Sequence, residues 1–107
     1  ALKREEAERL LAAIPDGAWI IALDETGKTL SSRGFAHWIS NAMDAGASEL
    51  ALVIGGADGL DASVLKRARL TLSLGRVTWP HLLVRGLLAE QLYRAQQIIA
   101  GHPYHRD

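Results

Sequence analysis

Cysteine is absent from this sequence, which excludes disulfide bridges and thiolate metal sites and makes a cytosolic address the default. No apolar run approaches the roughly 18 residues of a membrane span. The opening Lys3-Arg4-Glu5-Glu6 is charged and no apolar stretch follows it, so it does not read as a signal peptide. Net charge is lacking as well, because 12 basic side chains cancel 12 acidic ones. Proteins that grip free nucleic acid alone show a basic excess, since phosphate neutralisation supplies most of the affinity. A nucleic-acid target here would need a local basic patch, a second subunit or a large pre-shaped partner. Internal repeats, linkers and low-complexity segments are missing too. What remains is 107 residues with 49% hydrophobic and 22% charged side chains, enough for one core and one domain spanning residues 1–107.

Residues 2–14 read as a helix with Ala7, Leu10, Leu11 and Ile14 on one face and Glu5, Glu6 and Arg9 toward water. Pro15-Asp16-Gly17 is a turn signal. Residues 18–23 are apolar throughout, as in a strand covered on both faces, and Asp24 to Lys28 breaks them. Ser31 or Ser32 caps a second helix through about Ala45, with Phe35, Ile39, Ala42 and Met43 as its buried stripe and Gly46 at its end. Residues 50–54 form a second apolar strand, and Asp58 to Arg67 a short helix. Arg69 to Leu74 alternates as a strand does, with Leu70, Leu72 and Leu74 on one side. Val77 to Thr78 and Trp79 offer a last short strand, stopped by Pro80. Leu82 to Ala100 is the longest helix, with a seam of Val84, Leu88, Leu92, Ala95 and Ile99. Helices alternating with apolar strands predict an α/β fold, a mostly parallel sheet with helices on both faces.

In such a sheet ligands bind beyond the carboxyl ends of the strands. Three loops leave those ends: the one after Leu23, the run Gly55-Gly56-Ala57-Asp58-Gly59, and Gly75 to His81. Paired glycines expose backbone amides to a ligand, and equally serve a tight turn. They fit neither the dinucleotide fingerprint nor a P-loop. Asp24 at the sheet rim could hold a ribose or a cation, or could cap a turn. His81 could sit beside a cofactor or cap the last helix. His102 and His105 are three apart, but Pro103 between them and the lack of nearby acidic ligands argue against a metal. Tyr104, His105 and Arg106 suit a substrate site or a solvated end. Ser31, Ser32 and Ser63 stand at helix starts and offer no nucleophile elbow for a catalytic triad.

Taken together, Leu23-Asp24, Ile54-Gly55-Gly56-Ala57-Asp58-Gly59, Thr78-Trp79-Pro80-His81, Glu90-Gln91-Leu92-Tyr93-Arg94-Ala95 and His102-Pro103-Tyr104-His105-Arg106 resemble the ribosomal RNA large subunit methyltransferase H family of the SPOUT superfamily. The resemblance runs along nearly the whole chain. It implies a C-terminal trefoil knot, an exception to the usual absence of knots. It also implies S-adenosylmethionine as cofactor, contacted by Leu23, Gly56 and the stretch Gly75, Arg76, Val77, Thr78, Trp79 and Pro80. The enzyme would be a cytoplasmic homodimer with its last helix near the interface. It would methylate N3 of a pseudouridine in 23S rRNA within the assembled ribosome, and neither a metal nor a membrane is implied. His81, Tyr104 and His105 become the candidates for orienting the base or accepting the N3 proton, and Arg106 for meeting phosphate or a developing anion. Family members begin with a further strand and helix, so this sequence is expected to be a fragment or to lack its N-terminus, with a sheet edge left open. Two other readings stay open on the residues alone: a non-catalytic ribosome- or RNA-associated module of the same fold, and an unrelated nucleotide-binding α/β domain.

Overall fold

The computed structural model describes residues 2–55, 59–74 and 91–101. Its elements are α1 (Leu2–Ala13), β1 (Trp19–Lys28), α2 (Ser32–Asp44), β2 (Leu50–Ile54), α3 (Ala62–Arg67) and β3 (Ala68–Leu72), followed by helical residues 91–99, named α4 here. The chain divides into two compact units, residues 1–29 with 47–76 and residues 30–46 with 77–107.

The first unit is built on a parallel sheet with strand order β2-β1-β3. Ile20 and Ala22 of β1 lie opposite Ala51 and Val53 of β2, so these side chains share one face. That face forms a core with Ala7 of α1 and Leu60 and Val64 around α3, and Leu10, Leu11 and Ile14 pack against it. The apolar stripe expected on the first helix is therefore the one that is used. Ile21 and Leu23 point the other way, in register with Leu70 and Leu72, and all four are buried. Burial on both faces explains why β1 is apolar at successive positions from Ile20 to Leu23, while β2 buries Val53 and leaves its other residues half-buried. At the amino end of the sheet the Arg69 guanidinium lies over the Trp19 ring, 4.2 Å from its centroid.

β1 does not end at Leu23, as the polar run after it suggests, but continues to Lys28 through a bulge. Leu23 and Lys28 both stand opposite Leu72, so residues 24–27 form an excursion from the ladder. The Asp24 carboxylate turns the chain by accepting from the backbone N–H and hydroxyl of Thr26. Gly27 brings it back, where a Cβ would lie 2.5 Å from the Thr71 carbonyl oxygen. Ser73 N–H then donates to the Lys28 carbonyl at 2.8 Å, restoring the pairing. The third helix starts later than the expected Asp58, because Gly59 has φ +80° and Asp61 is the N-cap. β3 likewise stops at Leu72, two residues short of the expected end; Ser73 is buried and Leu74 lies in a bend.

In the second unit Ser31 caps α2, its hydroxyl accepting from Gly34 N–H at 3.0 Å. Gly46, with φ +102°, follows the helix, its N–H donating to the Met43 carbonyl, as the sequence leads one to expect. Phe35, Ala36, Ile39 and Ala42 are buried, whereas Met43 is 49% exposed. Met43 belongs to the last turn, past the covered part of the stripe. α4 buries Ala95, with Leu92 half-buried, but the expected seam residue Ile99 is 40% exposed and Ile98 is the half-buried one. Ile99 is the final helical residue. The chain turns away directly after it, with Gly101 at φ +77° and its N–H donating to the Ile98 carbonyl. Ser32 Oγ donates to Gln91 Oε1 at 2.7 Å, tying the start of α2 to α4. Val84 and Leu88, the short strand at 77–79 and the knot expected from the resemblance lie outside the described residues.

Candidate functional site

Because the three strands are parallel, their carboxyl ends lie along one edge. The register sets Leu23 between Ile54 of β2 and Leu72 of β3. The loop expected after Leu23 is instead a bulge within β1, and this bulge and the ends of β2 and β3 lie along one edge, with β1 in the middle and its neighbours reached by crossovers to either side. A crevice at such a reversal of strand order is where α/β sheets bind ligands. Leu23 is buried at this edge, 9% exposed.

The glycine run after β2 is drawn closed at its base. A Cβ on Gly55 would lie 2.9 Å from both the Gly59 carbonyl carbon and Leu60 Cγ, so the two ends of the loop touch and only glycine fits. Gly59 takes a left-handed conformation that other residues rarely adopt, and a Cβ on it would stand 3.0 Å from Asp24 Oδ1. Asp24 joins this base to the bulge of β1. Its Oδ1 accepts from Leu60 N–H at 3.2 Å, while Oδ2 accepts from Thr26 N–H at 3.2 Å and Thr26 Oγ1 at 2.5 Å.

Burial pushes the Asp24 carboxyl up, but the bonds from the Thr26 hydroxyl, Thr26 N–H and Leu60 N–H outweigh it, with the Lys3 charge adding. The net effect holds the group below the ordinary 3.8. Of the two readings open in the sequence, the turn cap is the one observed. Both carboxylate oxygens have partners within the chain. The tie to Leu60, 36 positions away, left no mark in the sequence beyond an Asp at a strand end.

Asp61 starts α3 by the same local chemistry. Its Oδ2 accepts from Ser63 N–H at 3.0 Å and Ser63 Oγ at 2.7 Å. Those two bonds are the main reason its carboxyl sits below the ordinary value. Ser63 is thus part of a helix cap, as its sequence context suggested.

Of the sequence-predicted site residues, Leu23 is the one placed at the edge. Gly56, Gly75, Arg76, Val77, Thr78, Trp79, Pro80, His81, Tyr104, His105 and Arg106 lie outside the described residues. Among the described residues there is no group of three or more His, Asp or Glu side chains that could hold a metal ion. No described helix is long and apolar enough to cross a membrane.

The chain is similar to ribosomal RNA large subunit methyltransferase H of Rhodospirillum centenum, 59% identical over 98% of this chain and 69% of the relative. It is similar to the protein of that name from Paramagnetospirillum magneticum, 56% identical over 98% of this chain and 69% of that protein. For the Rhizobium johnstonii protein of the same name the figures are 58%, 97% and 65%. The chain thus spans about two thirds of the length of these relatives. A family model described as "Predicted SPOUT methyltransferase" matches residues 1–105. With nearly every residue covered by that match and a parallel α/β sheet to carry it, the chain belongs to the SPOUT methyltransferase family.

Proposed function

We propose that this protein transfers a methyl group from S-adenosylmethionine to N3 of a pseudouridine in 23S rRNA, within the assembled ribosome of the cytoplasm. The observation that carries the reading is the family match along residues 1–105, joined to a sheet edge where Leu23, Ile54-Gly55 and Leu72 converge. The relatives named above bear the name of a ribosomal RNA methyltransferase, which supports the substrate class. We take residues 1–107 as a single catalytic domain.

The edge suits this cofactor in kind. An adenosine and a methionyl chain need apolar surface and backbone hydrogen-bonding groups, and Leu23 and the closely packed Gly55 and Gly59 stand where the strands deliver such a ligand. In this reading Leu23, Gly56 and residues 75–80 hold S-adenosylmethionine, and the cofactor supplies an electrophilic methyl on its sulfonium. The chain must then bring N3 of the base in line and take up its proton, because the neutral imide is a poor nucleophile. We assign His81, Tyr104 and His105 to orienting the base and receiving that proton. Arg106 is assigned to a phosphate or to the anion that develops.

The absence of net charge fits docking on a preformed ribosomal surface better than capture of free RNA. A homodimer would present two such surfaces, and the exposed Tyr93 and Ile99 of α4 and Met43 of α2 give apolar area for self-association.

Calorimetric titration with S-adenosylmethionine, against S-adenosylhomocysteine and ATP, tests the reading first. Saturable binding near one per subunit, with ATP excluded, is the expected result. Folded protein that ignores S-adenosylmethionine overturns it. Incubation with ribosomes and with free 23S rRNA, followed by nucleoside mass analysis, then distinguishes the substrate. Methyl transfer to ribosomes alone is expected, with turnover lost in His105→Ala and Arg106→Ala while cofactor binding is kept.

A further inference from the structure

We propose that Asp24 is a positioning residue for the cofactor loop. Its carboxylate holds Leu60, at the base of the glycine loop, against the bulge of β1, and so presets the backbone that meets S-adenosylmethionine. The inference rests on the cofactor reading above and adds to it a residue that touches no ligand.

The geometry assigns the role in three steps. The Thr26 N–H and hydroxyl both bind Oδ2, so the carboxylate cannot rotate without losing two bonds. That fixed orientation aims Oδ1 at Leu60 N–H, the first amide beyond the glycine run. Gly59, at φ +80°, allows the approach, since a side chain there would crowd the same oxygen. Gly55 lies against Gly59 and Leu60, and Asp24 holds Leu60 by its N–H. The base of the loop is thus closed by backbone packing on one side and a charged acceptor on the other. A carboxylate suits the position because three donors need two acceptor oxygens, and an asparagine has one.

Without the tie the loop would have to be ordered when the cofactor arrives, and affinity would fall by the fraction of chains in the competent arrangement. The effect belongs to cofactor binding rather than to chemistry. At saturating cofactor the turnover number should change little while the KM for S-adenosylmethionine rises. General destabilisation would not give that split.

The test compares Asp24→Ala, Asp24→Asn and Asp61→Ala with the unaltered protein by calorimetry with S-adenosylmethionine, alongside amide hydrogen exchange at Leu60. Asp61 is the control because its carboxylate makes the same local bonds, to Ser63 N–H and Oγ, at the start of α3. Asp24→Ala should raise Kd about tenfold, the worth of one hydrogen bond to a charged group. It should also speed exchange of the Leu60 amide. Asp24→Asn, keeping one oxygen, should fall between, and it stands in if the alanine variant does not fold. Asp61→Ala should leave Kd within about twofold and Leu60 exchange unchanged while lowering the melting temperature. An Asp24→Ala Kd within about twofold of the unaltered protein overturns the proposal, as does an equal loss in Asp61→Ala. If the unaltered protein fails to bind S-adenosylmethionine, the functional reading itself has failed and takes this inference with it.

Discussion

Asp24 and Asp61 make the same local bonds in different surroundings. Each accepts, through Oδ2, from the N–H and the hydroxyl of the residue two places on, Thr26 in one case and Ser63 in the other. At Asp61 those bonds start the six-residue α3, which packs on the core through Val64. At Asp24 they turn a strand out of its ladder and leave Oδ1 to receive Leu60 N–H from another loop. The difference lies in what stands nearby. Around Asp24 the backbone is crowded at Gly27, Gly55 and Gly59, each of which would bring a Cβ within about 3 Å of other atoms. One chemical motif therefore serves as a helix cap where the chain is free and as a tether where the chain is packed.

The crowding is the easiest part of that comparison to break. Gly27→Ala would set its Cβ against the Thr71 and Leu72 backbone, which cannot move without disturbing β3. We expect a loss of about 3 kcal/mol, at the upper end of overpacking costs, measured by urea denaturation. Gly59→Ala should cost less, about 1–2 kcal/mol for a left-handed alanine. It should also displace the Asp24 carboxylate, so cofactor affinity should fall further than its stability loss alone would give. A Gly59→Ala protein with unaltered affinity would show that the loop base tolerates movement, and Asp24 would then be no more than a second cap.

The same contrast marks how far the sequence could be read. Residues 50–54 form β2 as expected, and the Ser31 cap, Gly46 stop and α1 face were all legible, because each depends on neighbours within one or two turns. The polar run from Asp24 looked like a break because its pairing partner, Leu72, is distant and is used twice. Met43 and Ile99 carry the right spacing for burial, yet each sits in the last turn of its helix, and periodicity says nothing about where cover ends. The start of α3 at Asp61 rather than Asp58 has a local reason, since Gly59 before Leu60-Asp61 is itself a sign against helix there. At the candidate site, the three strand-end loops follow from the alternation of helices and apolar strands. The bond from Leu60 to Asp24 does not, because nothing in either segment alone names the other.

Acid denaturation offers the smallest and most selective contrast. Both carboxyls titrate below 3.8 in the folded chain, Asp24 through bonds that overcome its burial and Asp61 through Ser63 first, with Lys3 aiding both. A group with a depressed folded pKa stabilises fully above its unfolded value and ceases to do so as pH falls through the folded one. The stabilisation from both residues is therefore present at pH 6 and disappears below about pH 4. Urea midpoints measured from pH 6 to pH 2 should fall along that limb, and Asp24→Asn should flatten it more than Asp61→Asn. Added salt should weaken the Asp61 contribution slightly more, because Lys3 and Arg4 both help there whereas Lys3 alone of these helps Asp24, and the hydrogen bonds at both residues are not screened. Equal flattening in the two variants would mean that Leu60 adds nothing to the Asp24 carboxylate, leaving two caps of the same kind.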